Sequence, residues 1–148
     1  MPNRSLILDA NILIRAILGT KASQLLLTAA GRISLFAPSA AYHDARHYLP
    51  KILLSREIGD PESALVALDE LESLVIPLES ALYEAWRDEA LIRLGRRGPE
   101  DWPILAAALA IDCPMWTEDR DFFGAGVATW TTDRVGLFFR NLPAPEPR

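Results

Sequence analysis

Aspartates stand beside three apolar runs of this chain, where each run ends or begins. They are Asp9 after Leu6-Ile7-Leu8, Asp101 before the run from Trp102 to Ile111, and Asp119 shortly after Met115-Trp116-Thr117. Short runs that are apolar on both faces are typical of buried parallel strands. Residues at such ends can meet in one pocket, and carboxylates that meet repel one another unless a cation lies between them. The pattern therefore predicts a site for a divalent metal ion.

Strand-length apolar segments alternate with helical segments along most of the chain. Strands are predicted at residues 5–8, 33–37, 74–76, 115–117 and 127–130. Helices are predicted at 11–18, 21–30, 39–54, 61–73, 78–94 and 99–111, with Pro50 expected to kink or interrupt the third of them. This alternation predicts an α/β fold, a three-layer α/β/α sandwich around a mostly parallel sheet of about five strands. Ligands of such sheets bind beyond the carboxyl ends of the strands.

Composition limits the classes of protein that the chain can belong to. Its 148 residues, half of them hydrophobic, suit one domain at residues 1–140 and a disordered tail at 141–148, which holds three prolines. The single Cys113 excludes an internal disulfide and a cysteine-rich metal cluster. No apolar run approaches the ~20 residues of a membrane span, and Asp9 interrupts the first run too early for a signal peptide. A cytoplasmic protein without a membrane partner is expected.

The net charge of −5 argues against a protein that coats nucleic acid. It does not exclude an enzyme that acts on nucleic acid, because a few acids of the active site would account for most of the excess. Arginines supply nearly all of the positive charge, and their guanidinium groups suit phosphate as well as surface ion pairs.

Two of the aspartates allow more than one interpretation from the residues alone. Asp9 could serve as the N-cap of the following helix, as could Asn11, or it could be a ligand. Asp101 lies in the first turn of a helix, where the helix dipole favours a carboxylate. Its neighbours one and two turns on, Leu105 and Ala108, are apolar, and no basic residue lies within one turn after it. That inward position without a counter-charge favours a functional role.

The segment from Thr117 to Phe122 holds three acids in four residues. Asp119 is interpreted as a ligand, Thr117 as a hydroxyl that orients a ligand or water, and Asp121 as an outer ligand. Glu118 is expected to face solvent. Elsewhere, Asp44 lies in a predicted helix between His43 and His47, a histidine pair more typical of a solvated helix face than of a zinc site.

In these motifs the chain resembles the PIN-domain family, which includes VapC-type toxins and other metal-dependent nucleases. The resemblance extends from Leu6 to about Gly136. It rests on Leu8-Asp9-Ala10-Asn11-Ile12-Leu13, Pro38-Ser39-Ala40-Ala41-Tyr42-His43-Asp44, Asp101-Trp102-Pro103-Ile104-Leu105-Ala106-Ala107-Ala108-Leu109 and Trp116-Thr117-Glu118-Asp119-Arg120-Asp121-Phe122. The family normally carries glutamate six residues after the proline that ends the second strand, and this chain has Asp44 there, one methylene shorter.

The resemblance implies a PIN-like fold and a ribonuclease that hydrolyses phosphodiester bonds with one or two Mg²⁺ or Mn²⁺ ions. Asp9, Asp101 and Asp119, with Asp44 directly or through water, would hold the metal, and the products would carry a 5′-phosphate and a 3′-hydroxyl. Asn11 would bond a ligand carboxylate or a phosphate oxygen. Candidates to bind RNA are Arg15, Arg46, Arg96, Arg97 and Arg120. A toxin with an antitoxin partner, and a homodimer, are further expectations.

Two other functions fit parts of the pattern. Phosphotransfer through an aspartyl phosphate also uses acids at strand ends beside Mg²⁺, but it needs a lysine from a late strand, and this chain has none after Lys51. A non-catalytic PIN scaffold that binds RNA or a protein is favoured by the aspartate at position 44. If neither the wild type nor an Asp44→Glu variant cleaves RNA, the scaffold is favoured.

Overall fold

Five parallel strands form the central sheet of the computed structural model, which describes residues 4–140. The strands are β1 (Ser5–Leu8), β2 (Ser34–Pro38), β3 (Val75–Leu78), β4 (Met115–Trp116) and β5 (Thr129–Trp130). Their order in the sheet is β3-β2-β1-β4-β5, and every neighbouring pair is parallel. The predicted α/β fold with a parallel five-stranded sheet is confirmed.

Eight α-helices connect and cover these strands. They are α1 (Ala10–Leu18), α2 (Lys21–Ala29), α3 (Ser39–Arg56), α4 (Pro61–Leu71), α5 (Ser80–Tyr83), α6 (Arg87–Leu94), α7 (Trp102–Ile111) and α8 (Val135–Arg140) within the described residues. Three single 3₁₀ turns stand at Glu84–Trp86, Pro99–Asp101 and Arg120–Phe122. These helices and strands lie within residues 4–140, whereas the predicted tail at 141–148 lies outside the described residues.

Two predicted helices differ from the observed ones. The segment predicted as one helix at 78–94 is divided by the 3₁₀ turn Glu84–Trp86, and α5, the turn and α6 all pack on α7. Conversely, α3 continues through Pro50 without interruption. Its inward face is buried at a helical spacing, at Tyr42, Ala45, Leu49 and Leu53, and this burial outweighs the roughly 3 kcal/mol that an interior proline costs.

The order of the strands determines where a site can form. From β1 the chain builds outwards through β2 and β3, and it then returns to place β4 on the opposite side of β1. The connections leave the carboxyl ends of β1 and β4 in opposite directions, so a crevice opens between them. Backbone pairing brings the two ends level, since the amide of Asp9 donates to the carbonyl of Trp116 over 3.2 Å.

Apolar side chains bury the sheet on both sides. Leu6, Ile7 and Leu8 are fully buried in β1, as are Met115 and Trp116 in β4. The buried strands therefore form a support for polar residues at their carboxyl ends.

Within residues 4–140 no single helix is long and apolar enough to cross a membrane; α1 and α2 reach that length only as a pair bent by 108°.

Candidate functional site

Asp9 caps α1 directly after the last residue of β1. Its Oδ1 accepts a hydrogen bond from the amide of Ala10 at 2.6 Å, and its Oδ2 accepts one from the Thr117 hydroxyl at 2.7 Å and one from Asn11 Nδ2 at 3.3 Å. The side chain is 8% exposed. Burial raises the pKa of Asp9, and the charges of Asp119 and Asp44 raise it further, while the Thr117 and Ala10 bonds oppose the shift. Asp9 is thus both a helix cap and a member of an acidic group.

Thr117 connects the ends of β1 and β4. It is fully buried, its hydroxyl donates to Asp9, and the same oxygen accepts a hydrogen bond from the amide of Asp119 at 3.0 Å. Asp119 in turn caps the 3₁₀ turn that follows, because its Oδ1 accepts from the amide of Asp121 at 2.9 Å. One hydroxyl therefore fixes the positions of two acids that lie 110 residues apart in the chain.

Three carboxylates converge at this end of the sheet. Asp101, Asp119 and Asp121 each place one oxygen within 4.8 Å of the others, and all three side chains are half-buried. Asp121, predicted as an outer ligand, belongs to this three-carboxylate group, whereas Asp9 and Asp44 lie outside it. Burial, a hydrogen bond with Asp119, and the charges of Asp9, Asp119 and Glu100 raise the pKa of Asp101 to about 7.

The three-carboxylate group has the chemistry of a site for a hard cation. It offers only oxygen ligands, which Mg²⁺ and Mn²⁺ prefer. Burial first, and then the neighbouring acids, raise the pKa of Asp101, so its ionised form is unfavourable without a cation. A divalent ion among the three oxygens would remove that repulsion, so the residues present fit the predicted metal.

Gly98 is a part of the site that sequence reasoning missed. Its φ of +69° is left-handed, and a Cβ at this position would stand 2.8 Å from Asp121 Oδ2 and 3.1 Å from Asp101 Oδ2. The backbone at residue 98 therefore lies directly against two of the three carboxylates, at an approach that only glycine allows. The glycines that flank two arginines in Gly95-Arg96-Arg97-Gly98 were a visible signal of such an approach.

Asp44 lies apart from the three-carboxylate group, exposed on α3 beside the exposed histidines His43 and His47. It is close enough for its charge to raise the pKa of Asp9. Asn11 is nearer the site, since its amide nitrogen bonds Asp9. Its Oδ1 is buried and has no hydrogen-bond partner among residues 4–140, so Asn11 retains one acceptor that points away from solvent.

The five predicted RNA-binding arginines occupy three kinds of position. Arg46 pairs with Asp69 and Glu72, and Arg97 donates to the carbonyl of Phe123 at 2.8 Å. Arg15 lines a cleft of about 580 Å³ that also contains Asn11, Lys21, Arg56 and Thr132. Arg96 and Arg120 are exposed, and their side chains make no hydrogen bond or ion pair to the rest of residues 4–140. RNA binding stays a prediction for all five.

Glu118 differs from its prediction. Instead of facing solvent, its Oε1 accepts a hydrogen bond from the amide of Thr132 at 2.7 Å. The Thr132 hydroxyl accepts from the indole nitrogen of Trp116 at 3.1 Å. These two bonds connect the end of β4 to the segment after β5, which forms one wall of the cleft beside Asn11.

A comparison with protein families matches the part of the chain that holds these acids. The family model described as "PIN domain" matches residues 7–140, which include every acid of the site. No curated protein matches the sequence. The match thus covers the sheet, its helices and the carboxyl ends of β1 and β4.

Solved structures of toxin–antitoxin complexes contain a similar chain. The VapBC2 complex of Rickettsia felis, bound to a DNA fragment from its promoter, superposes with a TM-score of 0.67 at 17% identity, over 86% of this chain and 98% of the other. A chain of DNA-bound VapBC of Salmonella typhimurium superposes with a TM-score of 0.63 at 18% identity, over 87% of this chain and 98% of the other. A chain of a toxin–antitoxin complex of Klebsiella pneumoniae superposes with a TM-score of 0.61 at 21% identity, over 86% of this chain and 97% of the other. At these identities the likeness establishes the fold.

Proposed function

Because the PIN-domain model matches residues 7–140, this chain belongs to the PIN-domain family, and we propose that it is a divalent-metal-dependent endoribonuclease. The observation that carries the proposal is the three-carboxylate group of Asp101, Asp119 and Asp121. It lies beside Asp9, at the crevice where the order of the strands reverses. A crowded group of acids with one strongly raised pKa is typical of a functional site rather than of a solvated surface.

We propose that Asp101, Asp119 and Asp121 hold Mg²⁺ or Mn²⁺, with Asp9 as a further ligand and Asp44 acting directly or through water. When bound, such an ion lowers the pKa of an attacking water and offsets negative charge on a phosphodiester. Asp9 serves this role only while it is ionised, and the hydrogen bonds from Thr117 and Ala10 favour its ionised form.

Other residues of the chain would orient the substrate. Asn11 is fixed beside the acids, because its amide nitrogen donates to Asp9 Oδ2 at 3.3 Å. Arg15 lies one helical turn further along α1, in the cleft that Asn11 also lines. A phosphate bound by Arg15 would hold the RNA strand next to the acids. Arg96 and Arg120 are the other exposed candidates that have no protein partner among residues 4–140.

Cleavage of a single-stranded RNA of mixed sequence tests the reaction. The wild type with Mg²⁺ or Mn²⁺ is expected to produce fragments with a 5′-phosphate and a 3′-hydroxyl. Asp119→Asn should cleave at least about 100-fold more slowly, because the loss of a metal ligand exceeds the 10–100-fold cost of losing a residue that supports one. Asp112→Asn removes the same charge from the far end of α7 and should cleave like the wild type.

A metal titration separates an enzyme from a non-catalytic scaffold. Thermal unfolding of the wild type should shift upwards with Mn²⁺, since a ligand that binds only the folded state stabilises it. The shift should be lost in Asp119→Asn and in Asp9→Asn. If metal stabilises neither the wild type nor the variants and no RNA is cut, the non-catalytic scaffold is favoured over the enzyme.

We propose further that the chain is a cytoplasmic toxin that an antitoxin protein inhibits, and that it forms a homodimer. The Klebsiella pneumoniae structure is a toxin–antitoxin complex, and its fold is the one seen here. Expression should arrest bacterial growth, and Asp119→Asn should abolish the arrest. Sedimentation of the purified chain measures the oligomeric state; a monomer at micromolar concentration would exclude the dimer.

A further inference from the structure

Two arginines connect the loops that carry the three carboxylates. Arg97 Nη1 donates to the carbonyl of Phe123 at 2.8 Å, and Arg93 Nη1 donates to the carbonyl of Ala125 at 3.0 Å. Arg93 lies near the end of α6 and Arg97 in the turn before Asp101, whereas Phe123 and Ala125 lie two and four residues after Asp121. Both bonds therefore cross from one carboxylate-bearing segment to the other.

The Arg97 contact is close to an acid on both sides, because Arg97 lies four residues before Asp101 and Phe123 two residues after Asp121. The carbonyl of Gly98, next to Arg97, accepts from the amide of Asp101 at 3.0 Å. On the other side, Phe122 is fully buried, and the amide of Ala125 donates to its carbonyl at 3.2 Å. A displacement of the arginine contacts would therefore move Asp101 relative to Asp119 and Asp121.

The contact at Arg93 is close-packed. A Cβ at Gly126, where φ is +85°, would stand 2.8 Å from Arg93 Nη1, so the guanidinium lies close against this turn of the backbone. Glu89 Oε1 accepts from Arg93 Nε at 2.9 Å and fixes the orientation of the side chain. Arg93 is thus held on one side by its own helix and on the other by the loop.

We propose that Arg93 and Arg97 are positioning residues, which hold the Asp119–Asp121 loop against the turn before Asp101 and so bring the three carboxylates within reach of one cation. The proposal rests on the metal-binding role proposed above. It assigns Arg97 a role inside the protein, in place of contact with RNA. The supporting residues of a metal site typically affect affinity by 10–100-fold without touching the ion.

Electrostatics and positioning predict opposite results for these arginines. Removal of a positive charge near an acidic site should strengthen the binding of a cation, because a repulsion is lost. Removal of a positioning contact should weaken binding. Arg96 is the matched control, since it neighbours Arg97 in sequence but its side chain has no partner among residues 4–140.

The experiment is a Mn²⁺ titration of the full chain, with free Mn²⁺ measured by its electron paramagnetic resonance signal. Arg97→Met and Arg93→Met should each bind Mn²⁺ about 10-fold more weakly than the wild type, and Arg97→Lys, which keeps a donor, should recover most of the loss. Arg96→Met should bind as tightly as the wild type or more tightly. Thermal unfolding of each metal-free variant verifies that it folds; if Arg97→Met does not fold, Arg93→Met decides the test.

The outcomes distinguish the two proposals. If the wild type binds no Mn²⁺, the metal site and the positioning role both fail. If the wild type binds and both Arg→Met variants bind equally well or more tightly, the metal site stands and the positioning role is overturned. Weaker binding in Arg96→Met by the same factor would also overturn it, because an arginine without a contact to the loop would then matter as much as the two arginines that have one.

Discussion

Asp9 and Asp44 are both predicted metal ligands, and the fold holds them in different ways. Asp9 follows a buried strand, is 8% exposed, and has hydrogen bonds on both carboxylate oxygens. Asp44 is exposed on α3, and its side chain has no hydrogen bond or ion pair within residues 4–140. The backbone and its neighbours determine where the Asp9 oxygens lie, whereas the length of the side chain determines how far Asp44 can reach.

This contrast shows which changes each position should tolerate. An acid at a strand end depends on the residues that orient it, because its own conformational freedom is already lost. An acid on an exposed helix face depends on its own reach, and its neighbours matter little. Substitutions at Thr117, Asp101 and Asp44 test the contrast.

The largest effect is expected at Thr117, which orients two acids at once. Thr117→Val keeps the shape but removes the donor to Asp9 and the acceptor for the amide of Asp119. The loss should reduce Mn²⁺ affinity about 10–100-fold and lower the free energy of unfolding by about 1–3 kcal/mol. Thr117→Ser, which keeps the hydroxyl, is the control for both measurements. Equal Mn²⁺ affinity in Thr117→Val and the wild type would show that the sheet alone fixes Asp9.

The second effect concerns the repulsion inside the three-carboxylate group. The pKa of Asp101 is raised from 3.8 to about 7, so the metal-free folded state holds a proton that the unfolded state releases. Its contribution to stability is therefore present below about pH 4 and is lost as the pH rises to about 7. Because the group is partly solvated, the loss should amount to only about 1–2 kcal/mol.

Asp101→Asn removes this cost and should melt roughly 3–6 °C above the wild type at pH 8 without metal. At pH 4 the two proteins should have the same melting temperature. Saturating Mn²⁺ should reverse the order at pH 8, because only the wild type binds it well. Asp112→Asn, at the other end of α7, controls for net charge. If Asp101→Asn gains no stability at pH 8, burial and the neighbouring acids do not disfavour the ionised form of Asp101, and the raised pKa is wrong.

Local patterns were sufficient to predict the sheet and the acids at its edge. Apolar runs such as Leu6-Ile7-Leu8 are buried in any parallel sheet, and the residue after such a run must lie at its carboxyl end. Asp9, Asp101 and Asp119 were therefore identifiable before the structure, and Asp121 only as an outer ligand. The fold was predicted correctly from the alternation of strands and helices, and the PIN family from the resemblance of the motifs around Asp9, Asp44, Asp101 and Asp119.

What the sequence did not reveal depends on contacts between distant segments. Gly98 lies against Asp121 only because two loops meet, and Glu118 faces inwards only because the amide of Thr132 is near. Pro50 remains helical because the packed inner face of α3 outweighs its cost. Each of these features is a tertiary effect that overrides a local preference, so no window of sequence contains it.

The smallest effect is expected at Asp44, where the PIN family normally has glutamate. Asp44→Glu adds one methylene to an exposed side chain on α3, so its charge can approach Asp9 and a bound cation more closely. An exposed charge interaction is worth about 0.2–1 kcal/mol, so Mn²⁺ affinity should rise by about 1.4- to fivefold. The stability of the metal-free protein should change by less than about 0.5 kcal/mol, as at most surface positions. Asp44→Asn should weaken Mn²⁺ binding by a similar factor. If Asp44→Glu instead destabilises the metal-free protein strongly, Asp44 is held by its surroundings as Asp9 is, and the contrast between the two positions is wrong.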